Sequence, residues 1–449
     1  MTAWIPKPTS IYPPPELARP PLAKPPEAPP EPGPHEPTRT KRAIGIDVAR
    51  AIALIGMVAV HIYPLADADN VKTWAFEVFG GRAAALFALL AGVSVAFVER
   101  RSRGKLYGRN LWADRGALVS RGLLIMLAGL LLAYLDTDVD IILPYFGFLY
   151  LLVIPFYGRS NRLLLISGVL FATLGPVLLF LFGHNLPAQP DPTANYTLTS
   201  VFQYPVPFLA EVLLTGYYPT LLWMAYICVG IVIGRQVLTS KKVALTITAW
   251  GAGLALSTWF LSYFLLGPAG GLQRLVEATP TMTSTEISDL LAYGPPGAPL
   301  MPDTTWWWQA AIGPYTNTPL NVVHNLGTAM ALTGVALLLT RSGGRIFSPL
   351  AAIGAMTLTL YSAHLIVLWL DVLDSDQPLV SLCIMIISFM LFALVWRSSM
   401  GKGPLEQIIA DSSDWVRNRI RHPEEKRWLR PRKPVEDRQR TIPAGAGRG

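Results

Sequence analysis

Long apolar segments recur along most of the chain, and short polar loops separate them. Ten of these segments are long enough to cross a bilayer, since a membrane helix needs about 17–25 apolar residues. They are 44–63, 80–98, 116–135, 141–157, 163–183, 213–234, 243–266, 320–340, 347–370 and 379–396. This pattern predicts an all-α integral membrane protein built as a bundle of about ten transmembrane helices.

The two ends of the chain differ from this apolar region. Residues 1–40 are rich in proline, which favours an extended and solvated chain. Residues 401–449 are polar and basic, as expected of a segment that rests on anionic lipid headgroups. The sequence predicts a disordered cytoplasmic tail at 1–40, a ten-helix transmembrane domain at 41–400 and a basic cytoplasmic tail at 401–449.

Alternate loops differ in their basic residues, which predicts the orientation of the bundle. If the N-terminus is cytoplasmic, every inner loop is basic, and these loops read ERRSRGKLYGRNLWADR, GRSNR, RQVLTSKK and RSGGR. The outer loops are acidic or neutral, with Lys72 and Arg274 as their only basic residues. Because cytoplasmic loops carry the excess of Lys and Arg, this alternation predicts that both termini are cytoplasmic.

Composition agrees with a membrane protein and narrows its partners. The chain is 52% hydrophobic and 15% charged, whereas soluble domains average about 25% charged residues. The net charge of +8 is concentrated in the inner loops and the C-terminal tail, so we expect membrane lipids as partners and no nucleic acid. Cys228 and Cys383 lie in apolar segments and form no CxxC pattern, so no disulfide framework is expected.

The first apolar segment carries three ionisable residues, Asp47, Arg50 and His61. A charge at the bilayer centre costs at least ~2.5–3.5 kcal/mol, so such residues rarely face lipid. On a helix, residues 50 and 61 lie about 20° apart in azimuth, and residue 61 lies roughly 16 Å farther along the axis. Asp47 precedes Arg50 by three positions and shares its face. The three side chains therefore form one stripe that faces a protein interior or a water-filled cavity.

The same depth argument brings other polar residues to the outer half of the bundle. These are Arg82, His324, Asn325 and His364. Any one of them alone fits ordinary helix contacts. His324 and His364 lie at the same depth as His61, however, and three histidines at one depth favour a functional site. The histidines lie on separate segments without His-x₃-His spacing, so we expect no metal site.

The quoted motifs resemble a known family. The run GIDVARAIALIGMVAVH resembles the first catalytic helix of heparan-alpha-glucosaminide N-acetyltransferase-like proteins, with Ala51 where that family usually has glycine. The Arg50-x₁₀-His61 spacing resembles the signature of the broader membrane acyltransferase superfamily, and GGRAAALFALLAGVSVAF resembles its second helix. The runs TPLNVVHNLGTAMALTGVALLL, AIGAMTLTLYSAHL and GPLEQII resemble bacterial YeiB-like proteins. The resemblance covers about residues 42–410.

This resemblance implies transfer of an acyl group, with acetyl expected, from cytoplasmic acyl-CoA to a glycan or glycolipid outside the membrane. His61 would be a general base or carry the acyl group, and His364 or Arg82 would stabilise the oxyanion. His324 and Asn325 would orient the acceptor. The residues expected to bind the donor are Asp47, Arg50, Arg100, Arg101 and Arg103. Arginine suits CoA phosphates, although the arginines of the loop after residue 99 also fit simple positive-inside anchoring.

The sequence also fits a second class of function. A transporter or flippase of an envelope lipid or small solute, with an intramembrane proton relay, is an alternative, although we find no internal repeat of the kind that marks transporters.

The DTTWWWQ run at 303–309 fits an interfacial aromatic belt or a carbohydrate-stacking surface. The basic loops and Pro-rich start favour the cytoplasmic (inner) membrane of a bacterium.

Overall fold

The computed structural model describes residues 44–101, 108–191, 193–295, 300–344, 346–373 and 376–421. The predicted Pro-rich tail and most of the predicted basic tail lie outside these residues. Within them the regular secondary structure is helical, apart from one isolated bridge between Ala66 and Lys72.

The α-helices are, in chain order, α1 (Ile44–Ile62), α2 (Trp74–Phe79), α3 (Arg82–Arg101), α4 (Gly108–Leu132), α5 (Leu143–Leu152), α6 (Asn161–Phe182), α7 (Leu198–Gln203), α8 (Pro205–Ala210), α9 (Thr220–Gly234), α10 (Lys241–Leu266), α11 (Gly271–Ala278), α12 (Ser284–Tyr293), α13 (Pro319–Gly343), α14 (Ser348–Gly354), α15 (Thr357–Trp369), α16 (Pro378–Ser399) and α17 (Pro404–Arg421). Short 3₁₀ helices lie at Ala133–Leu135, Ile154–Phe156, Gly183–Asn185 and Trp306–Ala310, and a π-helical turn lies at Glu211–Thr215.

In the described part of the chain, seven helical segments are long and apolar enough to cross a membrane. They are Ile44–Ile62, Trp74–Arg100, Gly108–Leu135, Asn161–Asn185, Lys241–Leu266, Pro319–Gly343 and Pro378–Ser399. Two bent pairs raise the number to nine if each is one span: Pro205–Thr215 with Thr220–Gly234, bent by 48°, and Ser348–Gly354 with Thr357–Trp369, bent by 77°. These segments confirm an all-α integral membrane protein.

The tenth predicted span, 141–157, corresponds to the shorter apolar helix Leu143–Phe156. A helix of this length extends only about 21 Å, against a hydrocarbon core of about 30 Å. Pro144 lies in its first turn, and Pro155 lies in the 3₁₀ turn that ends it. Because proline lacks a backbone N–H and restricts the preceding residue, these positions limit the helix on both sides. The described chain thus holds up to nine spans and one shorter apolar helix.

Helix α1 is mostly buried, and small residues let its neighbours approach closely. A Cβ atom at Gly354 would lie 1.7 Å from the backbone oxygen of Asp47, so the end of α14 touches the backbone of α1. A Cβ at Gly230 would lie 2.0 Å from the Leu89 oxygen, where α9 meets α3. Small residues are typical of helix contacts in membranes because apolar side chains gain little by leaving lipid. Large exposed apolar residues such as Trp250 on α10 and Ile387 on α16 mark the faces suited to lipid.

The segment between α10 and α13 forms a small cap with its own core. This core consists of Leu275, Ile287, Leu290, Met301, Trp308 and Ala311. Trp308 is fully buried and donates a hydrogen bond from Nε1 to Thr304 Oγ1, 3.1 Å away. Trp306, in contrast, is half-exposed and packs on Phe180. The tryptophans of DTTWWWQ therefore have different environments, and only part of this run is available to an interface or a ligand.

Candidate active site

One end of α1 holds a charged pair. Arg50 donates from Nη1 to Asp47 Oδ1 at 3.1 Å and from Nη2 to Ser94 Oγ on α3 at 2.7 Å. Asp47 is buried, with 3% exposure, and Arg50 is half-buried. The i,i+3 spacing places the two groups side by side on the helix surface. Their partners lie inside the bundle, so this part of the predicted stripe faces protein.

The other end of α1 holds a pair of histidines from distant parts of the chain. His61 Nδ1 lies 3.0 Å from His364 Nε2, and the two rings stack at 5.3 Å between centroids with 13° between their planes. His364 lies on α15, which follows the 77° bend, and is fully buried. At this distance one nitrogen donates a proton and the other accepts it. We call His61 and His364 the histidine pair, and this end of the bundle the His61 end.

A small cavity adjoins His61. The residues around it are Met57, Val60, His61, Phe79, Ala83, Ala84, Tyr218 and Tyr315. Its volume of about 10 Å³ is close to the room that one water molecule needs. The cavity therefore has no room for a larger molecule beside His61 unless its aromatic walls separate.

Tyr315 belongs to a loop that sequence reasoning missed. Tyr315 and Asn317 both have left-handed backbone angles, with φ of 57° and 52°. The Asn321 side chain holds this loop by donating to the carbonyls of Ile312 at 3.2 Å and Gly313 at 2.8 Å. Left-handed angles in residues other than glycine cost about 1–3 kcal/mol each and persist where the surroundings impose them. The sequence signal was only a short Gly-, Pro- and Asn-containing run, which ordinary loops share.

Sequence reasoning also missed a cluster of acidic residues next to the tyrosines. Tyr145 donates from its hydroxyl to Glu211 Oε1 at 2.9 Å and contacts the ring of Tyr218 edge-on at 5.3 Å. Asp140 stays accessible, but the protein around it displaces water and raises the pKa of its carboxyl to about 6. The Tyr196 hydroxyl is buried without a hydrogen-bond partner in the described chain, within electrostatic range of Glu211. Carboxylates and phenols thus gather beside the cavity.

Arg82, the predicted oxyanion group, lies at the start of α3. Its Nη1 donates to the backbone carbonyl of Glu77, and the Val78 carbonyl lies 3.5 Å away. The guanidinium is within electrostatic range of His324. Arg82 therefore lies near the His61 end, and its guanidinium hydrogen-bonds to the preceding turn.

His324 and Asn325 lie on α13 and contact other parts of the bundle than the histidine pair. His324 Nδ1 lies 3.1 Å from the Ala255 carbonyl on α10, and the Thr258 hydroxyl lies 3.4 Å from the same nitrogen. Asn325 donates to Asn321 Oδ1 at 3.2 Å. In the described part of the chain, neither side chain hydrogen-bonds to the histidine pair. Since Asn321 also holds the Tyr315 loop, Asn325 supports that loop.

The predicted donor arginines after α3 are only partly described. Arg100 is exposed and donates to the backbone carbonyl of Gln236. Arg101 is the last residue of α3, and Arg103 lies outside the described residues. Their role in donor binding stays a prediction. Among the described residues no group of three or more His, Cys, Asp or Glu side chains is arranged to hold a metal ion.

The described residues define a polytopic helical membrane protein in which two histidines from distant helices meet beside a small cavity. Comparison with known families makes this specific. Residues 42–263 match the family described as heparan-alpha-glucosaminide N-acetyltransferase, catalytic. The match spans just under half of the chain and supports its assignment to this family of membrane acetyltransferases.

The match covers α1 to most of α10 and so includes Asp47, Arg50 and His61. Tyr315 and His364 lie beyond it, and their place beside His61 comes from the fold. No curated protein matches the chain.

Proposed function

We propose that the protein transfers an acetyl group from acetyl-CoA on the cytoplasmic side to a glycan or glycolipid acceptor at the His61 end. The family match supports membrane acetyltransferase activity in general. The observation that carries the finer proposal is the 3.0 Å contact between His61 and His364 beside the small cavity. When a hydrogen bond to one ring nitrogen fixes the tautomer of a histidine, the other ring nitrogen is well suited to act as a general base.

In the proposed reaction His61 accepts the proton of an acceptor hydroxyl or amine while the acceptor oxygen or nitrogen attacks the thioester carbonyl. The new bond to the acyl carbon forms, the C–S bond breaks, and the CoA thiolate leaves and takes up a proton. His61 donates from Nδ1 to His364 Nε2, which fixes its tautomer and leaves its Nε2 to take up the proton. A hydrogen bond from Arg82 stabilises the oxyanion. Attack by His61 itself, with a transient acetyl-imidazole, is the covalent version of the same step.

The donor is proposed to approach along the α1 stripe. Arg50 lies about eleven residues from His61, which corresponds to roughly 16 Å along the helix. That span accommodates an extended pantetheine arm between a phosphate group at the Arg50 end and a thioester at the His61 end. Arg50 is held by Asp47 and Ser94, and its planar guanidinium matches phosphate oxygens. Arg100, Arg101 and Arg103 would add positive charge near the donor's phosphates.

The acceptor side is proposed to use the tyrosines and carboxylates of the His61 end. Tyr218 and Tyr315 line the cavity. Asp140 lies within electrostatic range of Tyr218, and Glu211 accepts a hydrogen bond from Tyr145, which contacts Tyr218. Aromatic faces stack on the apolar faces of sugar rings, and carboxylates accept hydrogen bonds from hydroxyl groups. Asn325 would act indirectly, through Asn321 and the loop that carries Tyr315, whereas His324 would act through its contacts with α10. This composition favours a glycan or glycolipid acceptor.

We place this activity in the cytoplasmic membrane of a bacterium, with the His61 end outside the cell. The basic loops support this orientation. The family match gives no support to the transporter alternative, and we do not pursue it.

The test is transfer of labelled acetyl from acetyl-CoA to envelope glycolipid in membrane vesicles. His61→Ala should reduce transfer by about 10²–10⁴-fold, since this is what a positioned base contributes. His61→Gln should be equally inactive because an amide does not titrate. His184→Ala is the matched control, since His184 contacts the Met301 carbonyl away from the cavity. Near-normal transfer by His61→Ala at matched protein levels would refute the proposal.

A further inference from the structure

The start of α15 lacks a cap from its own sequence. The first turn of a helix has backbone N–H groups without intrahelical partners, and Met356 at the N-cap position makes no side-chain hydrogen bond to them. The turn follows the 77° bend after α14 inside the bundle. Unsatisfied backbone groups are costly at membrane depth, so a partner is needed.

Glu406 of α17 supplies this partner from a distant part of the chain. Its Oε1 accepts hydrogen bonds from the backbone N–H groups of Leu358 at 2.7 Å and Thr359 at 3.2 Å, and its Oε2 accepts one from Thr359 Oγ1 at 2.6 Å. The Thr359 hydroxyl in turn accepts from the Leu405 N–H at 3.2 Å. A carboxylate at a helix N-terminus is also favoured by the helix dipole. The start of α15 is therefore fixed in direction by four hydrogen bonds.

Gly403 makes this approach possible. A Cβ atom there would lie 2.2 Å from Glu406 Oε2 and 3.0 Å from Thr359 Oγ1. The GPLEQII run that begins at Gly403 thus has a definite structural use: the glycine makes room, and the glutamate binds the start of another helix.

We propose that Glu406 is a positioning residue for the histidine pair, acting through α15. His364 follows Thr359 by five residues, which is about 7.5 Å along the helix. A tilt at the fixed end moves the His364 ring relative to His61, which is held by α1. Displacement of a catalytic group by about 1 Å can cost about 10²-fold in rate. This inference rests on the proposed acetyl transfer.

The same helix offers a matched control. Further along α17, Arg417 Nε and Arg421 Nη2 each lie 3.0 Å from Asp114 Oδ1 on α4. Asp114 is fully buried and also accepts from the Tyr157 hydroxyl at 3.1 Å. This second anchor docks α17 without contact to α15. Arg417→Gln should weaken the docking of α17 on α4, while Asp114 keeps its ion pair with Arg421.

The experiment compares Glu406→Ala, Glu406→Gln and Arg417→Gln in the full-length protein in membrane vesicles. We expect Glu406→Ala to lower kcat for acetyl transfer about 10–100-fold while KM for acetyl-CoA changes little. Glu406→Gln should stay within about threefold of wild type, because its amide oxygen still accepts from the two N–H groups. Thr359→Val removes the two contacts of the Thr359 hydroxyl and keeps the two backbone N–H contacts to Glu406. It should give an intermediate loss, which keeps the test open if Glu406→Ala does not insert.

A second readout does not depend on activity. Buried His364 should be protected from diethyl pyrocarbonate, with modification mapped by mass spectrometry. Glu406→Ala should increase modification of His364 severalfold, and Arg417→Gln should not. Equal effects of the Glu406 and Arg417 variants, or unchanged protection of His364, would overturn the positioning role. If wild type transfers no acetyl group, the proposed function fails, whereas the protection measurement still reports on Glu406.

Discussion

At the residue scale, α1 shows how a membrane helix accommodates ionisable side chains without facing them to lipid. Asp47 and Arg50 neutralise each other, and Ser94 adds a third partner. His61 meets a second histidine. A buried charge that keeps its partner is tolerated, whereas one that loses its partner is costly. The contacts of these residues therefore decide which substitutions test function and which test stability.

Arg50→Ala should weaken binding of acetyl-CoA to the solubilised protein, and Arg50→Lys should recover only part of the affinity because the planar fork is lost. Titration calorimetry with CoA measures both. Removing Arg50 also leaves Asp47 buried without its partner guanidinium, so Asp47→Asn/Arg50→Ala is the control that restores neutrality. Unchanged affinity in all three variants would remove Arg50 from the donor site.

Asp140 should make stability depend on pH. Asp140 stays accessible, but the protein around it displaces water and raises the pKa of its carboxyl from 3.8 to about 6 in the folded protein, so the folded state binds more protons than the unfolded state between these values. Stability contributed by the protonated acid is present below pH 3.8 and is lost as pH rises through 6. The Tm of Asp140→Asn should therefore exceed that of wild type above pH 6, and the difference should shrink towards pH 4. A constant difference across this range would contradict the assignment.

At the element scale, hydropathy located the helices but not their bends. The predicted spans 213–234 and 347–370 are bent pairs in the structure, because averaging over a window records apolarity and not direction. The GYYP run between the first pair was a visible signal, with Gly216 and Pro219. The 77° bend at Ala355 and Met356 contains no proline, so it could not have been predicted in this way.

The candidate site was also predicted only in part. Depth along α1 and α15 brought His61 and His364 to the same end of the bundle in the sequence analysis, but their contact depends on the bend that aims α15. Glu406 and Tyr315 were invisible because their partners lie in distant segments and neither has a spacing signal. The family match likewise ends before all three of His364, Tyr315 and Glu406.

The close contact of α14 with α1 yields a stability prediction. Gly354→Ala should destabilise the protein by about 1–3 kcal/mol, since the new methyl meets the Asp47 backbone. Gly253→Ala on α10 is the control, because nothing lies within 4 Å of the added Cβ, and it should be neutral or stabilise by about 0.5–1 kcal/mol. Thermal unfolding in detergent measures both. Equal effects of the two substitutions would show that α14 and α1 are not in contact.

At the scale of the whole molecule, the orientation of the bundle is the feature on which the proposed donor and acceptor sides depend. Cysteine labelling in a Cys383→Ser background measures it, since Cys228 is buried. Arg109→Cys at the exposed start of α4 should react with an impermeant maleimide only after cells are opened. Ser288→Cys in the cap should react in intact cells. The reverse pattern would invert the topology and exclude cytoplasmic acetyl-CoA as the donor.

The small cavity beside His61 would tie the proposed reaction to the state of the membrane. Because the cavity has room for about one water molecule, the proposed transfer would require Tyr218 and Tyr315 to move apart, and such a movement would displace the surrounding helices against the lipid. Work done against the bilayer rises with the order of the acyl chains and with lateral pressure. The proposed transferase would accordingly slow as its membrane stiffens, so that the rate of envelope modification follows lipid fluidity without a separate sensor.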